Sequence, residues 1–214
     1  GEIRGLECHI KTLKGTEKWL VRDGVLVTEP GLNQRVVECI VKDITAAKQS
    51  ERIMHAIVKG TAATVGEEFF RTLVTELSSA LEVHCSFIGE LMPDAPGRIR
   101  TIAVCLDGKL VDNFEYDLDG APCGNVVGKN ICWHPRDVRS HFPKNELLAR
   151  IGAVSYAAAP LFTVSNKPLG IFGIIHNEPM QESDHLKSVL AIFAERAGVE
   201  LERERAEEIL RESE

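Results

Sequence analysis

Two apolar runs joined by a polar turn, within residues 152–179, constrain the fold more than any other stretch. The first run covers residues 154–164, the second covers residues 169–175, and the Ser-Asn-Lys-Pro segment between them has the composition of a tight turn. Strands that are apolar on both sides are usually buried on both sides. We therefore predict a central β-hairpin in a sheet whose two faces are covered.

Further strand patterns precede this hairpin. Residues 84–92, 98–106 and 109–118 each have strand composition, and turn residues separate them. A helix is predicted before them, starting near Gly66 after a capping-box spacing at residues 64–67, with an apolar stripe formed by Phe70, Leu73, Val74, Leu77 and Leu81. Consecutive antiparallel strands favour an α+β fold over alternating parallel α/β units.

The first 45 residues have a strand pattern of their own. Residues 6–13, 18–28 and 36–41 are predicted strands, and the Asp23-Gly24 pair is typical of a two-residue hairpin turn. Residues 46–63 then take on helical spacing, with Thr45 as the predicted N-cap and an apolar face formed by Ile53, Met54, Ile57, Val58 and Thr61. The sequence therefore predicts a small β unit followed by a connecting helix.

Residues 119–152 are irregular and carry Cys123, Cys132, His134 and His141. Their spacing does not match that of a closed zinc site, so no metal is predicted. The 6 cysteines of the chain are scattered among mostly apolar neighbours, which favours reduced, buried thiols over a disulfide framework. The simplest interpretation makes Cys123 a small core residue packed beneath its loop.

Composition excludes several classes of function. No apolar run approaches the roughly 20 residues that span a bilayer, and the N-terminus is too charged for a signal peptide, so we expect a cytoplasmic protein. A formal net charge of −7 disfavours nucleic-acid binding, which needs clustered cationic side chains. The 44% of hydrophobic residues are sufficient for an ordinary core.

The C-terminal segment, residues 183–214, has two apolar stripes at helical spacing. One suits packing on the sheet and comprises Leu186, Leu190, Phe193, Ala197 and Leu201. The other, here called the seam, alternates steps of three and four and comprises Val189, Ile192, Arg196, Val199, Arg203, Ala206 and Leu210. Two stripes imply two partners, and we predict a parallel homodimer held by this helix and the connecting helix.

Three sequence pieces resemble a GAF domain, the sensing module of bacterial signalling proteins. They are APCGNV at residues 121–126, HFP through GAVSY to PL at residues 141–161, and IFAERA with ELER at residues 192–203. This resemblance implies an antiparallel sheet of about six strands flanked by helices, with a ligand pocket beneath the irregular connection. It also implies pocket-lining residues, namely Cys123, Val126, His134, Phe142, Leu148, Ser155 and Tyr156.

The first strands resemble the end of a PAS domain, whose last strand exits through a sequence similar to the Asp-Ile-Thr at residues 43–45. The predicted layout is a partial PAS domain at residues 1–45, a connecting helix at 46–65, a GAF domain at 66–200 and an outgoing signalling helix at 201–214. An output domain is expected downstream in the full-length protein. No phosphoacceptor, ATP-binding or cyclase motif is present in this sequence.

The resemblance implies a regulatory sensory fragment of a sensor histidine kinase or a cyclic-dinucleotide enzyme, with no catalysis of its own. The ligand is unknown, and no cofactor is assigned. A tetrapyrrole is disfavoured because Trp133 separates Cys132 from His134, where such GAF domains often carry a Cys-His pair. Two alternatives remain: a free methionine sulfoxide reductase using Cys123 and Cys132, and a ligand-free dimerising spacer.

Overall fold

The structure, a computed structural model, describes residues 1–13, 15–28, 35–48, 51–52, 55 and 65–212. The chain divides into two compact units, Gly1–Met54 and His55–Glu214. Residues 45–48, 51–52 and 55 are helical. The rest of the predicted connecting helix, including Ile53, Met54, Ile57, Val58 and Thr61, lies outside the described residues.

The first unit contains a three-stranded antiparallel sheet of β1 (Glu2–Lys11), β2 (Glu17–Thr28) and β3 (Arg35–Asp43), in that order. The turn predicted at Asp23-Gly24 is wrong, because β2 runs through it as one continuous strand. Gly24 pairs with Ile3 on one side and with Cys39 on the other. Since β2 has ladder partners along both edges, the extended backbone there is held more strongly than a local turn.

One face of this small sheet is apolar and exposed. Cross-strand pairing places Leu26 opposite Val37, and Arg22 opposite both Leu6 and Val41, on the same face. The four apolar side chains are between 39% and 56% exposed. Three strands with an apolar face are near the minimum for an independently stable sheet.

The second unit is built on a seven-stranded antiparallel sheet. Its strands are β4 (Cys85–Leu91), β5 (Arg98–Leu106), β6 (Lys109–Leu110), β7 (Glu115–Asp117), β8 (Cys132–His134), β9 (Ser155–Phe162) and β10 (Pro168–His176). Their order is β6-β5-β4-β10-β9-β8, and β7 also pairs with β5. The α+β prediction is confirmed, and the hairpin of β9 and β10 lies inside the sheet.

Within residues 65–212 the helices are α1 (Glu67–Leu81), α2 (Val138–His141), α3 (Glu146–Arg150) and α4 (Asp184–Glu212), with a 3₁₀ turn at Pro122–Asn125. Helix α1 packs on β4 and β5, and α4 packs on β9 and β10. On this face Phe172 stacks on Phe193, with ring centroids 5.9 Å apart. The irregular segment covers the opposite face, so both faces are covered as predicted.

Two local predictions about this unit are wrong. The strand predicted at residues 109–118 is interrupted between β6 and β7, because side chains replace the ladder there: the Phe114 N–H donates to the Thr101 hydroxyl oxygen at 2.8 Å, and the Asn113 amide donates to the Ile102 carbonyl at 3.1 Å. The capping box is also absent, since α1 is preceded by Gly66 at φ 71° with no side-chain cap. Instead, the Gly66 N–H donates to the Glu200 carboxylate at 2.6 Å.

Helix α4 lies unusually close to β9 at one glycine. A Cβ atom added to Gly198 would lie 2.7 Å from the backbone carbonyl oxygen of Phe162. No larger residue fits there without moving the helix. Gly198 therefore sets the distance between α4 and the sheet.

Candidate functional site

A cavity of about 620 Å³ lies between the sheet and the irregular segment that covers it. Such a volume falls within the range of small-molecule pockets in proteins. The sheet contributes Cys85, Phe87, Val104, Leu106, Tyr156 and Ile175 to its wall. Because side chains alternate along a strand, these residues face the cavity while their neighbours Ser86, Ile88 and Ile174 are buried away from it.

Three short elements form the outer wall. Tyr116 of β7 and the preceding Phe114 form one part of it, and Cys123 of the 3₁₀ turn forms the second. The third part consists of Leu148 of α3 and the following Ile151. Helix α3 is fixed at its start by a side-chain cap, in which Asn145 accepts a hydrogen bond from the Leu148 N–H at 3.0 Å. The cover is thus made of short pieces, each held by local hydrogen bonds.

Two tyrosines and one cysteine form a polar group on this wall. The Tyr116 hydroxyl donates to the Cys123 sulphur at 3.2 Å, and the Tyr156 hydroxyl donates to the same sulphur at 3.3 Å. Burial raises the pKa of the Cys123 thiol and, to a greater degree, the pKa values of both phenols. All three groups are therefore neutral at physiological pH.

Charged side chains occur only around the rim among the described residues that line the cavity. They are Glu115, Glu146 and Arg150, and all three are exposed. Besides the Tyr-Cys group, the lining also contains the Cys85 thiol and Asn145, whose side-chain oxygen is used in the cap of α3, and the remaining lining residues are apolar. Such a cavity suits a ligand that is mostly apolar and makes few polar contacts.

Of the residues predicted to line the pocket, Cys123, Leu148 and Tyr156 lie on the cavity wall. Val126 and Phe142 pack in the adjoining apolar cluster instead. Ser155 is fully buried and donates its hydroxyl to the Glu178 carbonyl at 2.6 Å, outside the cavity wall. These contacts give Ser155 a structural role at the end of β9.

His134 also lies away from the cavity wall. Its ring packs edge-on against Phe142, with centroids 5.2 Å apart, and near His141 at 5.4 Å. Burial, and then the neighbouring His141, lower the pKa of His134. Its Nε2 atom lies 3.5 Å from the Cys132 sulphur, so the two residues share one side of β8. Within the described parts of the chain, no cluster of three or more His, Cys, Asp or Glu residues could hold a metal ion.

Sequence reasoning missed Tyr116, which shares the central hydrogen-bonded group with Tyr156 and Cys123. The sequence does contain a pattern that points to Tyr116. Phe114, Tyr116 and Leu118 alternate with polar residues and therefore share one face of an extended segment. It also missed most of the sheet side of the wall, where Phe87, Leu106 and Ile175 belong to strands that are apolar on both faces. Their pattern cannot tell which face lines a cavity.

Beyond the cavity, α4 is anchored to the unit by charged contacts. The buried Glu90 carboxylate of β4 accepts hydrogen bonds from Arg100, and from Arg205 of α4 at 3.0 Å. Glu202 of α4 accepts from the Val164 N–H at 2.8 Å. The charge-rich start of the outgoing segment is therefore attached to β4 and to the turn that follows β9.

The sequence profile described as GAF domain matches residues 66–201. A comparison with curated protein sequences finds no significant match. None of the helices among the described residues is long and apolar enough to cross a membrane.

Several solved structures share the fold. The GAF domain from an Acinetobacter phosphoenolpyruvate-protein phosphotransferase is 15% identical, with a TM-score of 0.59 over 74% of this chain and 95% of that chain. The chromophore-binding domain of a Stigmatella aurantiaca bacteriophytochrome is 12% identical, with a TM-score of 0.56 over 92% of this chain and 73% of that chain. The chromophore-binding domain of an R. palustris bacteriophytochrome is also 12% identical, with a TM-score of 0.57 over 99% of this chain and 76% of that chain.

Proposed function

Since this chain belongs to the GAF domain family, we propose that it is a regulatory sensory fragment that binds a small molecule in the cavity beneath its irregular segment. The observation that carries the proposal is the cavity itself, about 620 Å³ with a mostly apolar interior and one hydrogen-bonded Tyr-Cys group. The Stigmatella and R. palustris relatives are chromophore-binding domains. Here Trp133 separates Cys132 from His134, so a ligand other than a tetrapyrrole is favoured.

Strand β4 connects the cavity to the outgoing helix. Cys85 and Phe87 at one end of β4 line the cavity, and Glu90 near its other end binds Arg205 of α4. A ligand that binds one arrangement of this strand more tightly than another shifts the population of helix positions by its difference in affinity. The signal then leaves the domain through α4.

The exposed part of the seam supports a parallel homodimer of this fragment. Ile192 is 42% exposed and Val199 is 52% exposed, whereas Val189, predicted at the start of the seam, is buried in the core at 3% exposure. The seam prediction is therefore wrong at Val189, because that part of α4 packs on the sheet. The homodimer, the partial PAS domain before the GAF domain, and an output domain of kinase or cyclic-dinucleotide type downstream are parts of the same proposal. A cytoplasmic location remains an expectation from the sequence.

The two alternatives are less well supported by the geometry. A methionine sulfoxide reductase needs a reactive thiolate, whereas Cys123 is buried, has a raised pKa and accepts two phenol hydrogen bonds. A ligand-free spacer would need no cavity of this size. We therefore propose a binding module without catalytic activity.

Native mass spectrometry and an absorbance scan of the purified protein test the proposal together. We expect a bound small molecule, or stabilisation by one from a metabolite collection. Leu147 of α3 also lines the cavity, so Leu147→Trp should fill it and abolish this binding. Leu110→Trp, at an exposed position on β6, is the matched control and should bind normally. Binding that is identical in both variants would place the ligand elsewhere, and thiol-dependent reduction of methionine sulfoxide would favour the enzyme.

A further inference from the structure

We infer that the cavity selects a largely apolar, uncharged molecule with a hydrogen-bond acceptor that inserts between the phenols of Tyr116 and Tyr156. This inference rests on the proposed function and names the ligand class of the same site. Aromatic ketones and quinone-like compounds belong to this class. Three features of the cavity support it.

The first feature is the apolar lining. Phe87, Leu106, Phe114, Ile151 and Ile175 line the space around the Tyr-Cys group, and none of them offers a side-chain hydrogen bond. Filling such a cavity with an apolar body removes apolar surface of both molecules from water, which contributes most of the affinity of small-molecule sites. A flat aromatic body suits two walls that carry phenyl rings.

The second feature is the pair of converging donors. Both phenol hydroxyls lie within hydrogen-bond distance of one sulphur atom, and all three residues line the cavity. A thiol sulphur is a weak acceptor, whereas a carbonyl oxygen is a strong one. Exchange of the sulphur for a ligand carbonyl therefore improves the hydrogen bonding of both phenols, and Cys123 acts as a weak placeholder for the acceptor.

The third feature is the distribution of charge. Glu115, Glu146 and Arg150 are confined to the exposed rim, so no cationic side chain among the described lining residues faces the interior. A ligand phosphate or carboxylate placed beside the phenols would be buried without a counter-ion, at a large cost in free energy. Nucleotides and other multiply charged metabolites are therefore disfavoured.

Benzophenone and diphenylmethane test the inference as probes, because they have similar size and differ by one carbonyl. Equilibrium dialysis should show that the protein binds benzophenone about 3- to 10-fold more tightly, the contribution of one or two neutral hydrogen bonds. The ratio of the two affinities should fall to about 1 in the Tyr116→Phe/Tyr156→Phe double variant, since this variant loses only the two hydroxyls. It should rise in Cys123→Ala, where the competing acceptor is gone.

The outcomes separate this inference from the proposed function. Equal binding of both probes, with the same affinities in the double variant, overturns the ligand class while leaving a cavity that binds small molecules. If AMP binds more tightly than benzophenone and Leu147→Trp blocks that binding, the ligand class is again overturned while the cavity remains a binding site. If neither probe binds saturably, the inference is overturned, and native mass spectrometry then tests the proposed function. Circular dichroism checks that each variant is folded, and Tyr116→Phe alone replaces the double variant if Tyr156→Phe perturbs the core.

Discussion

Arg205 of α4 donates one hydrogen bond to the Glu90 carboxylate of β4 at 3.0 Å and another to the Leu91 carbonyl at 2.7 Å. Glu90 is only 7% exposed, and its other carboxylate oxygen accepts from Arg100 at 3.0 Å. A buried carboxylate that loses a charged donor keeps the cost of its desolvation. Arg205 therefore fixes the outgoing part of α4 to the strand whose other end lines the cavity.

Replacing Arg205 with alanine should lower the free energy of unfolding by about 1–3 kcal/mol, the usual cost of losing a hydrogen bond to a charged group. It should also speed hydrogen exchange in residues 202–212. Urea unfolding and hydrogen-exchange mass spectrometry measure the two effects. Arg211→Ala, at an exposed position on the same helix, is the control. Equal effects of the two substitutions would show that Arg205 has no anchoring role.

Replacing Gly198 with alanine should destabilise the second unit by about 1–3 kcal/mol, because the added Cβ would lie 2.7 Å from the Phe162 carbonyl oxygen. Helix propensity alone predicts the opposite sign, a gain of about 1 kcal/mol. Ala191→Gly, at an exposed position of α4, measures that propensity term in the same helix. A more stable Gly198→Ala protein in thermal unfolding would mean that α4 is free to move away from β9.

The Cys123 thiol should react slowly with Ellman's reagent at pH 8, because it is buried and its pKa is raised. The exposed Cys39 provides an internal control in the same molecule. We expect Cys39 to react roughly 100-fold faster in the folded protein, and both to react at similar rates in urea. Rapid modification of Cys123 under native conditions would reopen the enzyme alternative.

Stability should fall at alkaline pH. Burial is the main cause that raises the pKa of Cys85 from 9.0 to about 12. Below pH 9 the Cys85 thiol is protonated in both the folded and the unfolded state, so the stability that it contributes is fully present. Between pH 9 and 12 only the unfolded state releases the proton, which lowers the free energy of unfolding by about 1.4 kcal/mol per pH unit for this group.

The measurement is urea unfolding at several pH values between 8 and 10.5. Cys85→Ala should show a shallower fall above pH 9 than the unmodified protein, despite its lower stability at pH 8. Cys39→Ala, at an exposed position, should keep the original slope. Identical slopes in all three proteins would mean that Cys85 ionises without unfolding the protein.

Replacing Val199 with glutamate should weaken the proposed dimer without unfolding the second unit. Val199 is 52% exposed on the seam, so the change places like charges across a two-fold axis while leaving the core intact. Sedimentation equilibrium should show an association constant at least about 10-fold lower. Ala191→Glu adds the same charge off the seam and should associate normally. A monomeric unmodified protein at tens of micromolar, or a dimer unaffected by Val199→Glu, contradicts the seam.

Patterns that persist over many residues were readable from the sequence. The hairpin of β9 and β10 and the helices α1 and α4 were predicted because each buries several apolar side chains at a regular spacing. Three of the proposed pocket residues, Cys123, Leu148 and Tyr156, lie on the cavity wall. The resemblance to GAF domains supplied these positions, since periodicity alone does not distinguish a cavity wall from a packed core.

Tertiary structure decided what depends on partners distant in the chain. Asp23-Gly24 has the local preference of a turn, yet two neighbouring strands hold it extended. Glu90 meets Arg205 across 115 positions, and Tyr156 meets Cys123 across 33. Local propensities amount to about 1 kcal/mol or less per residue, and ladder hydrogen bonds and burial together exceed them. The sequence by itself therefore determined the long, regularly spaced strands and helices, and the folded chain determined the short elements and which side chains meet.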